Sequence, residues 1–423
     1  MGASDNAATE WRRFWFLPIA AAFGYATSVL HVYSIGPFIA PLQQEFGWSR
    51  AQISAGLTIS SLVSAAACIP VGMLVDRIGP RLVGLVGVLA MSGVFALLST
   101  ATGQFANWLL LWGVIAVGTF WVQATVWTSA VASRFETSRG LAFAITLCGA
   151  SVSATFFPII ATSLIGSHGW RTAFAAMGGI WAALVFPILF FCFRGAQDEK
   201  RKVLHVPAAS VLAGITLAEG LRSPALYKLV MAGGLFAFTV VGAIVHFVPI
   251  LTDSGATPLA AAGIVSLVGI FSIIGRLGTG VLLDKCPGHL VGAFAFLIPI
   301  VACLLLLFDG SNPASQAIAA AIFGLTLGSE VDVIAYLAAK HFGLKNFGAL
   351  YGVLQMALAF GTAFGPLAAG AVFDRYESYA PFLMLTMALM AASAIALFTL
   401  GLPPSGAVEG HQSTLSPSSA TVD

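Results

Sequence analysis

Five side chains in this sequence carry charge or can titrate inside long apolar stretches: His31, His246, Arg276, Glu330 and Asp332. An ionisable group deep in a bilayer is costly, so each is a candidate functional group. Arg276 is the sharpest. It lies eight residues before Asp284, about 12 Å along a helix, which puts it near mid-membrane. A planar guanidinium holds a carboxylate through two parallel hydrogen bonds; the alternative role is a structural ion pair with Glu330 or Asp332. Those two carboxylates are the candidate proton carriers. Two residues apart, they stand about 200° apart around a helix and cannot both face one cavity squarely. His31 and His246 titrate near neutral pH and are candidates for substrate contact, with hydrogen-bonded packing as the alternative. Tyr25, Tyr33, Trp121, Trp127 and Tyr336 could form the apolar wall of a pocket, or serve as membrane girdle and helix packing.

The elements that must position these groups are membrane spans. Of 423 residues, 58% are hydrophobic and 9% charged, against roughly 45–50% and about 25% in soluble domains. That excludes an ordinary soluble enzyme. Apolar runs of about 20 residues or more fall near 14–41, 51–75, 82–100, 106–132, 141–165 and 172–193, then near 226–251, 259–283, 290–308, 314–339, 349–372 and 380–402. The expected organisation is a cytoplasmic segment 1–13, a six-helix bundle 14–193, a linker 194–225 with one amphipathic surface helix, a second bundle 226–402 and a disordered tail 403–423. The fold class is all-α membrane protein, with twelve transmembrane helices. If the N-terminus is inside, fifteen Lys and Arg residues are cytoplasmic and three, Arg50, Arg171 and Arg375, are outside, so both termini are expected to be cytoplasmic.

A net charge of +2 gives no basic field for nucleic acid. Five cysteines without a CxxC pair predict neither disulfide nor metal site. No phosphate loop, nucleophile motif or cofactor signature is present, so neither enzyme activity nor a cofactor is expected. The first apolar run is too long for a signal-peptide core of roughly 7–15 residues. Asn6 stands where a myristoylation signal needs Ser or Thr.

The chain also repeats. A shift of 208 superposes Pro41 on Pro249, Gly47 on Gly255, Gly72 on Gly280, Asp76 on Asp284, Arg77 on Lys285, Gly140 on Gly348, Pro158 on Pro366 and Phe174 on Phe382. Parallel six-helix repeats place a substrate site between the halves near the midplane. GMLVDRIGPR, from Gly72 to Arg81, and its copy GVLLDKCPG, from Gly280 to Gly288, resemble the signature loop of the major facilitator superfamily. The resemblance implies two pseudo-symmetric six-helix bundles, with Gly72, Asp76, Arg77, Arg81, Gly280, Asp284 and Lys285 gating the cytoplasmic ends. Gly72 lets helices approach closely, and Arg77 and Arg81 are expected to pair with acids such as Glu136.

Within that superfamily, PLQQEFGWSRAQIS (Pro41–Ser54) and GSEVDVIAYLAAKHFGLKNFGALYG (Gly328–Gly352) resemble the monocarboxylate transporter and oxalate/formate antiporter group. Capping by Ser49 and an interfacial Trp48 account for part of the first segment. The resemblance makes Arg276, in IIGRLGTGVLLD, the substrate-binding arginine of the eighth helix. Three departures matter. The oxalate antiporters' lysine falls on Leu358, and the animal transporters' lysine and acidic residue fall on Tyr33 and Ser272. One arginine favours one carboxylate, and the proton route cannot be copied over. Drug antiporters differ further, since the fifth helix reads FFPIIA at Phe156–Ala161 and the fourth lacks arginine. The expected function is proton-coupled uptake of a small organic monocarboxylate anion by a monomer in the bacterial inner membrane. An anion exchanger or exporter is the alternative, and drug efflux a more distant one.

Overall fold

The computed structural model describes residues 3–198, 214–343 and 345–402. Linker residues 199–213, the tail 403–423 expected to be disordered, and the side chains of Cys68, Gly72 and Asp76 lie outside the described residues. Among those described, nine helices are long and apolar enough to cross a bilayer. One of them, Arg139–Cys192, has 54 residues and breaks at Gly169, whose φ is 77°; it supplies spans 5 and 6. Phe16–Ser28 and Leu30–Phe46, bent by 42°, form span 1, and the 29-residue helix Arg50–Ile78 is span 2. The others are Pro80–Thr100 (span 3), Phe105–Ala132 (span 4), Pro224–Val245 (span 7), Pro258–Lys285 (span 8), Gly288–Asp309 (span 9), Pro313–Phe342 (span 10), Phe347–Tyr376 (span 11) and Ala380–Phe398 (span 12). The described residues therefore form twelve spans, with Arg139–Cys192 supplying two and Arg50–Ile78 added to the helices above.

Several boundaries differ from the apolar pattern. Span 1 does not end at Pro41: it runs to Phe46, where Gly47 stops it in the left-handed conformation at φ 67°. It bends instead at Val29, beside Ser28, whose hydroxyl donates to the Val122 carbonyl. The polar start is itself a helix, Ala3–Phe14. It docks through the Glu10 carboxylate, which accepts the backbone N–H groups of Glu136, Thr137 and Ser138 at 3.0–3.1 Å. Span 7 contains a π-helical turn, Ala237–Val241, and continues past a break at His246 as Phe247–Asp253. The linker contributes a six-residue helix, Leu217–Arg222, opened by a Thr216–Glu219 capping box.

Buried apolar side chains separate into two clusters. One runs from Leu17 to Phe193 and adds Val245; the other runs from Leu226 to Leu397. Within the second half, spans 8 and 10 touch backbone to backbone: a Cβ on Gly275 would stand 2.1 Å from the Leu325 carbonyl oxygen, and one on Gly328 2.0 Å from that of Ser272. This contact fixes Arg276 beside Glu330 and Asp332.

Between the halves, Ser272 donates to Ser151 at 2.6 Å, and a Cβ on Gly269 would meet the Ser151 carbonyl oxygen at 2.4 Å. Thr58 donates to the Ala363 carbonyl at 2.6 Å. The hydrogen bonds that join the halves at Arg50, Ala51, Ser54, Thr58 and Ser151 lie between the Ser151–Ser272 pair and the Arg50 end of the bundle. At the opposite end Arg77, Asp284 and Lys285 are exposed. The halves are thus joined by hydrogen bonds at the Arg50 end.

The signature loop itself departs from one expectation. Arg81 does not meet Glu136; its guanidinium donates to the Phe190 carbonyl at 2.7 Å and lies over the Phe190 ring. Its backbone N–H points to Asp198. Gly79, at φ 88°, makes the preceding turn, so span 3 starts with its N-terminus toward the Asp198 carboxylate, where an anion is favoured.

Candidate functional site

Arg276 sits on span 8 with only 11% of its side chain exposed, and its Nη1 donates to Asp332 Oδ1 at 3.0 Å. Its Nε is buried with no hydrogen-bond partner among the described residues. The same is true of Glu330 Oε1, whose residue is 5% exposed and close enough to Arg276 to act on it electrostatically. The 200° between Glu330 and Asp332 therefore does not part them from Arg276: one meets it by contact and the other by charge at longer range. Buried polar atoms are normally hydrogen-bonded, and unpaired ones point to a role beyond packing.

The wall facing this cluster comes from both halves. Tyr25 and Tyr33 of span 1, Cys148 of span 5 and Tyr351 of span 11 all lie within electrostatic range of Arg276. Tyr33 packs against both apolar cores, as a residue between the halves must. Tyr351, its ring stacked on Phe347 at 5.2 Å between centroids, is absent from the sequence-derived set. Leu358 itself turns to its own half, where a Cβ on Gly233 would meet it at 2.7 Å.

The remaining expected wall residues are placed elsewhere. Trp127 is fully buried in the first core, its Nε1 donating to the Val122 carbonyl at 2.9 Å and its ring filling the space above Gly24 and Gly84. Trp121 packs its backbone and Cβ against Gly87. Tyr336 covers Gly288 at the start of span 9 and takes Lys340 over its ring. His31 lies 4% exposed with its ring edge-on to Trp112 at 6.0 Å. Trp121, Trp127 and Tyr336 fill gaps left by small residues on neighbouring helices, whereas His31 Nδ1, like Arg276 Nε, is buried with no hydrogen-bond partner among the described residues. His246 is buried in the contact at the Arg50 end, hydrogen-bonded to Tyr379, Ser54 and the Pro366 carbonyl. Among the described residues no group of three His, Cys, Asp or Glu could hold a metal ion.

Arg50 was read from sequence only as an outside charge, yet it is the most heavily bonded side chain between the halves. Nη1 and Nη2 grip Asp253 of span 7 at 2.7 and 3.1 Å. Nη1 also donates to the Tyr379 hydroxyl at 2.8 Å and Nε to Gln43 at 3.1 Å. The guanidinium carbon stands 3.5 Å from the Phe373 ring centroid. The backbone N–H groups of Arg50 and Ala51, freed at the start of span 2, both donate to Asp374 at 2.9 Å. Ser49 completes that terminus through a reciprocal capping box with Gln52. Nothing in hydropathy marks such a residue, because it lies at a helix end.

Chemically, the Arg276 cluster offers one cation held by one carboxylate, with an unpaired guanidinium edge and phenol groups around it. A ligand carboxylate can take that edge or displace Asp332.

Comparison with known proteins agrees with this architecture. The chain is 24% identical over 393 residues to monocarboxylate transporter 13 of Rattus norvegicus, covering 91% of this chain and 88% of that protein. It is 26% identical over 333 residues to the uncharacterized MFS-type transporter YhjX of Escherichia coli (strain K12), covering 76% and 77%. The fold is similar, with a TM-score of 0.67, 16% identity and coverage of 92% and 98%, to a bacterial homolog of the human lysosomal transporter Spinster in an inward-facing, unoccupied conformation. The Major Facilitator Superfamily profile matches residues 21–366, and with twelve spans in two halves the chain belongs to the Major Facilitator Superfamily, as a multi-pass membrane transporter.

Proposed function

We propose that this chain is a secondary active transporter of a small organic monocarboxylate anion, coupled to proton entry, with Arg276 binding the substrate carboxylate. The observation that carries the reading is the buried, unpaired Nε of Arg276 beside a carboxylate, Glu330, whose Oε1 is itself unpaired. The likeness to monocarboxylate transporters over most of the chain supports the same substrate class. Positive charge concentrates at the signature-loop end, which assigns that end to the cytoplasm and both termini with it, in a bacterial inner membrane. In this reading the chain works as a monomer, each copy containing a whole site.

In the scheme we infer, Asp332 neutralises Arg276 in the empty state. A substrate carboxylate displaces it, and the displaced acidic pair needs a proton to stay in low dielectric. Glu330 is the proton carrier of the pair, because it has no partner to give up. The halves then rock about the site so that substrate and proton cross together.

Uptake of labelled carboxylates and their amide analogues into proteoliposomes tests this, with and without an inward proton gradient. Accumulation of a monocarboxylate, raised by the gradient and lost in Arg276→Gln, is the expected result. Flux that depends on internal anion but not on the gradient would make the chain an exchanger. Carboxylate flux unchanged in Arg276→Gln would remove the site from this residue.

A further inference from the structure

The contact at the Arg50 end contains a histidine whose hydrogen-bond directions are settled by its neighbours. His246 occupies the break in span 7 and is fully buried. Its Nδ1 is 2.7 Å from the Tyr379 hydroxyl; its Nε2 is 2.9 Å from the Pro366 carbonyl oxygen and 3.0 Å from Ser54 Oγ. Tyr379 accepts a hydrogen from Arg50 Nη1, so its own hydrogen is available to Nδ1. A carbonyl can only accept, so Nε2 carries the imidazole hydrogen. One chain of donors thus runs from Arg50 of the first half through Tyr379 and His246 to span 11, crossing between the halves once, and it closes only with a neutral imidazole.

A proton added at Nδ1 breaks that chain. Two N–H donors, from Arg50 and His246, would then converge on the Tyr379 oxygen, and the hydroxyl hydrogen would lose its acceptor. A second cation would also face Arg50 without a new anion to balance it. The charged and titratable groups facing His246 from the packed elements are Arg50 of span 2, Asp374 of span 11 and Tyr379 before span 12, with Asp253 of span 7 next to them on Arg50 and Tyr379. Both oxygens of Asp253 are held by Arg50, and both of Asp374 by backbone N–H groups of span 2. Neither carboxylate is free to receive the new charge. Burying such a charge unpaired is costly, and the cost falls only on the conformation in which the halves are joined here.

We propose that His246 is a proton-binding site that governs this contact: the neutral imidazole holds the halves together at the Arg50 end, and protonation releases them. The proposal stands whatever Arg276 binds. It gives the transporter a way to turn the pH on that face into opening of that face, using a group remote from the Arg276 cluster.

The test uses the full chain in nanodiscs without carboxylate ligand, with spin labels at Gln44→Cys and Tyr376→Cys after alanine replaces the native cysteines. Both positions are exposed at the Arg50 end, on opposite halves. The distance between them is read from about pH 8 to about pH 5, across the ordinary imidazole range. The expected result is loss of the short-distance population as pH falls, by about tenfold per pH unit below the midpoint, as one bound proton requires. In His246→Gln the short distance persists throughout. In Tyr379→Phe the midpoint moves to higher pH, since Nδ1 no longer has a donor to displace. A wild type that stays closed at every pH overturns the proposal, as does His246→Gln opening with the wild-type midpoint. If the glutamine variant does not fold, identical midpoints in the wild type and Tyr379→Phe overturn it instead.

Discussion

Two arginines, each paired with an aspartate, do opposite work in this molecule. Arg50 has four donated hydrogen bonds, a ring beneath it and an aspartate from the other half. Arg276 has one hydrogen bond to an aspartate of its own half, an unpaired Nε, and an unpaired carboxylate nearby. The same ion pair therefore has two energetic meanings. A saturated arginine stabilises the arrangement that saturates it, and bridging the halves makes it a lock. An unsaturated one leaves part of the desolvation cost uncompensated, and that deficit is what an incoming anion can relieve.

The contrast is broken most severely by Arg276→Gln, which is expected to abolish carboxylate transport. Removing one partner of a buried charged pair costs about 3–5 kcal/mol, and the substrate's only cation within the cluster goes with it. Proteoliposome uptake measures this, and retention of more than about a tenth of the flux, roughly 1.4 kcal/mol by the thermal scale, would exclude a direct contact. Next in size is Arg50→Gln, which leaves Asp253 unpaired and should shift the equilibrium toward opening at that end by about 2–3 kcal/mol. Cysteine accessibility at the Ser54 level reads it, and unaltered accessibility would show that the lock lies elsewhere. Glu330→Gln is expected to leave anion exchange in place while removing accumulation driven by a proton gradient. Paired exchange and gradient assays separate those two, and a variant that still accumulates substrate would assign the proton to Asp332.

The smallest effect concerns a carboxylate that is satisfied without any cation. Burial pushes the Glu10 carboxyl up, but the backbone N–H groups of Thr137, Glu136 and Ser138 outweigh it and hold the group below the ordinary carboxylate value. A depressed value means that the contact stabilises docking of the Ala3–Phe14 helix above the ordinary carboxylate range and is lost as pH falls through the folded value. Hydrogen exchange of residues 3–14 should rise there, by an amount worth no more than about 1 kcal/mol for a group this exposed. No change in Glu10→Gln at neutral pH would show that the Trp11 and Phe14 contacts with Phe135 hold the helix alone.

Much of the architecture was legible in the residues. Apolar length gave the twelve crossings, and the 208-residue shift gave two related halves; Arg276, Glu330 and Asp332 stood out because charge in an apolar run has few structural uses. Tyr25 and Tyr33 of span 1 lie within electrostatic range of Arg276. Trp121, Trp127 and Tyr336 were not separable from them, because the direction of an aromatic ring depends on where the neighbouring helix supplies a glycine. Gly24, Gly84, Gly87 and Gly288 receive those three residues, and each lies more than thirty positions from its partner, so no local pattern pairs them.

The sequence by itself determined the medium, the number of crossings, the duplication and the charged groups available for chemistry, since each follows from the cost of placing a residue in hydrocarbon. The tertiary structure alone decided which charges meet. Arg50 and Asp253 are 203 positions apart, and Arg276 and Asp332 are 56 apart. Whether either pair is saturated depends on a third and fourth helix arriving with a tyrosine, a glutamine or nothing. Partnership between distant groups is a property of helix packing, and packing fixes it only when all the spans are in place.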